Sequence, residues 1–358
     1  MVGDAARDGL LFFPNAQLQL MPSAREAIRR LLVRLPRKGK VLIPAFTCMH
    51  VVDAVRAAGH EARFVDADPA SGVVTPSAVD EAITSDCRAV LVSHLFTSRV
   101  DVAGVVAAVA GRAEVIEDSA LVRWPDQGLV PGTSALVLSM GRGKPLGIGA
   151  GGACIVPAGK PLPLLSATTA AADELGVVQL LAAAISSGSA LLALGRLLGR
   201  RGALPVVDES FASSLLLPSK LSAAARRAIA NLMHAACLPT AAAHAAALAE
   251  HYRVVLDATS GDKFGWLHGG PPCPPGGLLT PALPVAVPRR DDCLRALRRA
   301  GFDVPAYWRY SAAAAAGDGA CPVSERLAQT LLYLPLHEGV RPSDVEEMAD
   351  IIARQSRA

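Results

Sequence analysis

Aromatic rings and lysines are both scarce in this chain. Phe, Trp and Tyr together make up 4% of its 358 residues, and its 35 basic residues are mostly arginines, scattered along the sequence. A nucleic-acid surface needs massed cations with aromatic platforms between them, so a net charge of +3 does not carry that reading. Seven cysteines, odd in number, widely spaced and without a CxxC pair, argue against a disulfide framework and a zinc site. The histidines show no HExxH or other ligand spacing, and no metal is expected. The opening MVGDAARDGLLFFP carries acids early and no basic stretch ahead of an apolar core, so it does not read as a secretory leader. These absences point to a reducing, cytoplasmic setting.

One absence pulls the other way. From Leu175 to Gly195 (LGVVQLLAAAISSGSALLALG) no residue is charged, and the basic RLLGRR follows. That length could span a bilayer. Gln179, Ser186, Ser187, Gly188 and Ser189 interrupt the run, so we read a buried helix or helical hairpin, with membrane association as the alternative.

What is present is a packed globular chain, 51% hydrophobic and 19% charged, long enough for two domains. Through the first two-thirds of the chain, short apolar runs alternate with helical patterns, and the texture changes beyond Asp208. SAREAIRRLLVRL places Ala27, Ile28, Leu31, Leu32 and Leu35 on one helical face, with Ser23 at the N-cap. KVLIPA, EARFVDAD, CRAVLVSHLF, AEVIEDSA, SALVLSM and GGACIVP read as strands. CMHVVDAVRAAG, TPSAVDEAI and DVAGVVAAVAG read as the helices between the earlier ones. Such alternation predicts an α/β fold with a mostly parallel, helix-covered sheet. Beyond a long alanine-rich helical stretch, PALPVAV, DDCLRALRRAGFDV and SDVEEMADIIARQ predict a small α+β lobe. The expected division is 1–239 for the large domain, with an apolar helical insertion at about 165–205, and 240–358 for the small one.

The chemistry gathers around SMGRGKPLGIGAGGACIVP, Ser139 to Pro157, where one of the chain's six lysines, Lys144, sits in a glycine-rich loop. A surface turn is the plain reading. A Walker loop fails, because Leu138 and Pro145 stand where its glycine and Ser/Thr belong, and Gly141, Gly143 and Gly147 miss the dinucleotide spacing. A Schiff-base lysine is the third reading: it needs a desolvated amine beside a carbonyl-bearing cofactor, which glycines would let approach the backbone. Pyridoxal phosphate would also need a carboxylate at its ring nitrogen and N–H groups for its phosphate. Glu117 and Asp118 end the apolar strand VIEDSA, Ser23-Ala24-Arg25 open the first helix, and Ser139 adds a hydroxyl five residues before Lys144.

These segments resemble the DegT/StrS-type sugar aminotransferases, pyridoxal-phosphate enzymes of fold type I. The resemblance runs through VLIPAFTC with VVDAVRAAGHEARFVDAD, through VIEDSA, and through LSMGRGKPLGIGAGGACIV. It ends with LRRAGFDVPAYW and LLYLPLHEGVRPSDVEEMADII. It implies Lys144 as the cofactor-bearing lysine and proton shuttle, Asp118 at the pyridinium nitrogen, and Ala120 beneath the ring. Ser23, Ala24 and Ser139 would hold the phosphate, and the enzyme would be a homodimer with shared active sites. The implied reaction moves an amino group from a donor such as glutamate to a keto group on a sugar or another biosynthetic intermediate.

The departures from that pattern are specific. Leu121 stands where the family has Gln or His at the ring hydroxyl, Cys48 where an aromatic stacks, and Arg25 where a phosphate-site threonine sits. Pro218 replaces the partner-facing asparagine, leaving Lys220 as the nearby base. Two alternatives follow: another reaction on the same cofactor, such as elimination or condensation, or a non-catalytic, membrane-associated relative. His94 and His337 read as structural or pocket-wall residues. Tyr307 and Trp308 read as a substrate entrance or as lobe packing.

Overall fold

In the computed structural model, which describes residues 15–122, 128–141, 144–145, 151–161, 239–260, 264–267, 280–308, 310–337 and 339–357, the apolar runs up to Pro157 form one sheet. Its strands are β1 (Ala16–Met21), β2 (Lys40–Pro44), β3 (Glu61–Val65), β4 (Cys87–Ser93), β5 (Glu114–Ser119), β6 (Ala135–Ser139) and β7 (Gly152–Pro157). They lie in the order β1-β7-β6-β5-β4-β2-β3. Strands β6, β5, β4, β2 and β3 are parallel, whereas β7 runs antiparallel to β6 and β1 antiparallel to β7.

Side-chain alternation gives this sheet two apolar faces. Val41, Ile43, Ala89, Leu91, Ile116 and Val137 pack against α1 (Ala24–Val33) and α2 (Met49–Ala57). Leu42, Val90, Val92 and Val115 pack on the opposite side against α3 (Pro76–Ala82) and α4 (Val102–Val109). Each helix starts where the local chemistry favours it. The Ser23 hydroxyl accepts the Glu26 N–H at 3.1 Å. Thr75 caps α3, with Pro76 in its first turn, and Asp101 accepts the Gly104 N–H at 2.9 Å. α2 gives way at Gly59, whose φ of +80° reverses the chain into β3 without a Cβ penalty.

A second, antiparallel sheet has the order β10-β9-β8, from β8 (Gly265–Trp266), β9 (Ala282–Ala286) and β10 (Leu331–Pro335). Leu283, Val285, Leu332 and Leu334 face α5 (Pro239–Ser260), α6 (Arg290–Arg299) and α9 (Pro342–Arg357), while Ala282, Leu331 and Tyr333 join the α3/α4-side core of the first sheet. α7 (Ala312–Ala315) and α8 (Pro322–Thr330) complete the lobe. Asp66, just past β3, accepts the N–H groups of Val323 and Ser324 at 3.0 and 2.8 Å and the Ser324 hydroxyl at 2.6 Å. It thereby caps α8 across some 250 residues of chain.

Among the described residues no helix is long and apolar enough to cross a membrane. The uncharged run 175–195, the expected insertion 165–205, Pro218 and Lys220 lie outside the described residues.

Candidate active site

The ends of β4, β5 and β6 and the start of α1 carry the chemistry, at the carboxyl edge of the parallel strands where open α/β sheets present ligands. Asp118 is the next-to-last residue of β5 and is 5% exposed. Its Oδ1 accepts the Ala120 N–H at 3.0 Å, and its Oδ2 accepts the Ser93 hydroxyl at 3.4 Å from the end of β4. The register makes this pairing, since Ser93 and Asp118 are direct partners in the ladder. Burial pushes the Asp118 carboxyl above the ordinary carboxylate range. The Ala120 N–H, the Lys144 charge and the Ser93 hydroxyl each favour the anion but do not offset burial. The carboxylate therefore lacks a full counter-charge, and the Lys144 ammonium is close enough for its field to reach it.

Lys144 is half-buried, and its N–H donates to the Gly141 carbonyl at 3.2 Å. The Gly141 N–H donates to the Ser139 hydroxyl at 3.5 Å. The loop is closed at its base by Met140 N–H to Gly151 C=O at 3.0 Å, and Gly151 bridges to Ser23. Gly143 and Gly147 lie outside the described residues.

At Gly152 a Cβ would meet the Ala24 nitrogen at 2.5 Å, the Ser23 carbonyl carbon at 2.7 Å and the Leu138 carbonyl oxygen at 2.9 Å. Only glycine lets the first turn of α1 close onto the β6–β7 base, which brings Ser23, Ala24 and Ser139 together.

Helix geometry leaves the first-turn N–H groups without intrahelical partners. At that same helix start the Nε of Arg25 is buried with no hydrogen-bond partner. A buried guanidinium nitrogen beside a helix N-terminus calls for an anion. The buried carboxylate of Asp118 calls for a cation. A phosphorylated, cationic heterocycle with an aldehyde for Lys144 answers both demands, so the residues present fit pyridoxal phosphate.

The remaining expected contacts are placed as follows. Ala120 is half-buried in the turn after Asp118, and Leu121 is packed in the α3/α4-side core with Leu95, Phe96 and Val100. Cys48 stands at the N-cap position of α2, partly buried, against the cores of both sheet faces. His337 accepts the Gly339 N–H at 3.1 Å. Trp308 is buried edge-on against Phe46 at 4.9 Å, and Tyr307 lies 5.2 Å from Phe96 and 5.1 Å from Tyr333. This aromatic cluster joins the lobe to the large sheet, which gives Trp308 the packing role.

Two contributors were not foreseen. Ser93 acquires its role only through the β4–β5 register, which a single strand does not reveal. Gly152 looked like one glycine among several. Its signal was its place at the head of an apolar strand, where glycine marks a close backbone approach.

Residues 23–157, which hold Ser23, Arg25, Ser93, Asp118, Ser139, Lys144 and Gly152, match the model of the DegT/DnrJ/EryC1/StrS aminotransferase family. No curated protein matches the sequence. Solved structures match over nearly the whole chain. DesV of S. venezuelae, solved with a ketimine intermediate, superposes with a TM-score of 0.72 at 19% identity, covering 100% of this chain and 91% of its own. DesI, solved with its TDP-sugar product, gives 0.69 at 20%, covering 100% and 86%. The PLP form of Spr1654 from Streptococcus pneumoniae gives 0.69 at 14%, covering 99% and 90%. At such identities the likeness is one of fold. Residues 23–157 thus match the DegT/DnrJ/EryC1/StrS aminotransferase family model, and the chain shares the α/β fold of these solved structures.

Proposed function

We propose that the chain is a pyridoxal-phosphate-dependent aminotransferase. It moves an amino group from an amino acid donor, glutamate in this reading, to a keto group on a sugar or related biosynthetic intermediate. The observation that carries it is the buried carboxylate of Asp118, within the field of the Lys144 ammonium and at the same sheet edge as a helix start holding an unpaired buried guanidinium nitrogen. When bound, the cofactor supplies an aldehyde that takes up the amino group and a ring that accepts electrons as the donor loses its α-proton.

The chain does the rest. Lys144 Nζ supplies the amine that anchors the aldehyde carbon. Once displaced by the donor, the same amine would be the base that takes the proton from the donor α-carbon and the acid that hands it back two atoms along. Asp118 faces the ring nitrogen and favours its protonated form. The hydroxyls of Ser23 and Ser139, the first-turn N–H groups of α1 and the Arg25 guanidinium hold the phosphate. The enzyme works as a homodimer with shared sites, in the cytoplasm, with a large domain at 1–239 and a small one at 240–358.

Borohydride reduction with pyridoxal phosphate, followed by peptide mapping, tests the reading. The label should sit on Lys144 and be absent from Lys144→Ala, and glutamate should bleach the bound chromophore of the wild type. A label elsewhere, or none, overturns the reading. Leu121 supports one second reading: an apolar, core-packed side chain there gives no polar contact to a ring hydroxyl, as a different reaction on the same cofactor would allow. In that case the label stays on Lys144 and glutamate leaves the spectrum unchanged.

A further inference from the structure

Behind Asp118 stands a buried titratable pair that the reading above does not use. The His94 side chain is fully buried and Glu117 nearly so, with Nε2 at 2.9 Å from Oε1. Because strand side chains alternate, Glu117 points to the α3/α4 face while Asp118 points to the α1/α2 face. The Val100 N–H donates to His94 Nδ1 at 3.0 Å, so that nitrogen carries a lone pair. The ring's one proton is then on Nε2, donated to Glu117, and the imidazole is neutral. His94 also donates its main-chain N–H to the Asp118 carbonyl at 2.9 Å, while Ser93 donates its hydroxyl to Asp118 Oδ2. Ser93, the last residue of β4, and His94, just beyond it, thus hold two consecutive acids of β5.

A carboxylate buried against a neutral ring is expensive, and a hydrophobic residue would be the cheaper occupant of this core position. We propose that Glu117, oriented by His94, is a positioning residue whose negative charge lies behind Asp118 and strengthens the pull on the proton of the cofactor's ring nitrogen. This rests on the reading that Asp118 faces that nitrogen. Interior fields are poorly screened, so a charge one residue away acts across the sheet. The Lys144 charge is one whose field reaches Asp118.

The test uses full-length protein reconstituted with pyridoxal phosphate isotopically labelled at the ring nitrogen, titrated by NMR from neutral to alkaline pH. In Glu117→Gln the amide oxygen still accepts the Nε2 proton, so folding and capture at Lys144 should persist. The midpoint for loss of the ring-nitrogen proton should fall by about one pH unit. His94→Asn, which releases Glu117 from its orientation, should shift the midpoint in the same direction. Unchanged midpoints in both variants overturn the inference, as does failure of both to fold, which would make the pair purely structural. Wild type that fails to retain the label at Lys144 overturns the functional reading and this inference together. Wild type that titrates alongside indifferent variants overturns the inference alone.

Discussion

Asp118→Asn should make the cofactor-free protein more stable while destroying its function. The asparagine keeps the geometry: its Oδ1 accepts the Ala120 N–H and its Nδ2 reaches the Ser93 hydroxyl, the two contacts the carboxylate makes at 3.0 and 3.4 Å. What it removes is a buried charge whose partners do not offset desolvation, because burial is the largest influence on this group and raises its pKa. Relieving such a charge is worth about 1–3 kcal/mol. With an unfolding entropy of about 2.1 cal/mol/K per residue, that corresponds to about 1–4 °C in Tm for a chain of this length. The pH dependence carries the sign. A carboxyl with a raised folded pKa keeps a proton that the unfolded chain releases, so stability falls as pH rises from the ordinary carboxylate range through the folded value. The variant should therefore match wild type in mild acid and exceed it at neutral pH and above. Scanning calorimetry of both apo proteins across that range, repeated with pyridoxal phosphate, is the assay. Saturating cofactor should raise the wild-type Tm more than the variant's. An apo variant less stable than wild type at neutral pH, or a difference that does not change with pH, would refute the reasoning.

The strands most legible in the sequence were those covered on both faces, although the edge strand EARFV was read as well. KVLIP and CRAVLVS are nearly continuous apolar runs because helices cover them on either side. AQLQLM gave no such signal: as the edge strand β1 it alternates glutamine with apolar residues and earns its place only by pairing antiparallel with β7. The reversal of β7 against β6 is likewise invisible in composition, because a strand of this length reads the same in either direction. Asp118, Ser139 and Lys144 stood out as polar residues at the ends of apolar runs. Ser93 and the His94–Glu117 pair did not, since their meaning lies in which residue faces which across two strands. Tyr307 and Trp308 could be read two ways because an aromatic pair fits a mouth or a core equally well. The rings of Phe46, Phe96 and Tyr333, remote in sequence, decided for packing.

Three further substitutions probe how the site is assembled. Gly152→Ala places a carbon 2.5 Å from the Ala24 nitrogen, which should cost about 1–3 kcal/mol in urea unfolding and weaken cofactor binding by displacing α1; unchanged affinity would mean the helix start is not part of the site. Asp66→Ala strips the cap of α8 and should cost about 2–4 kcal/mol, with amide exchange accelerating in residues 322–330 before the large sheet; uniform acceleration would deny the lobe this anchor. Ser23 separates capping from anion binding. Its hydroxyl accepts the Glu26 N–H, so Ser23→Ala should lose about 1 kcal/mol of stability and bind pyridoxal phosphate roughly tenfold more weakly. Ser23→Asp restores the cap, and its carboxylate suits the helix dipole, so stability should return to the wild-type level. The same carboxylate repels a phosphate, so cofactor affinity should fall below that of the alanine variant. Were the aspartate variant to recover stability and affinity together, the helix start would be a structural cap alone, and the phosphate would have to be held elsewhere.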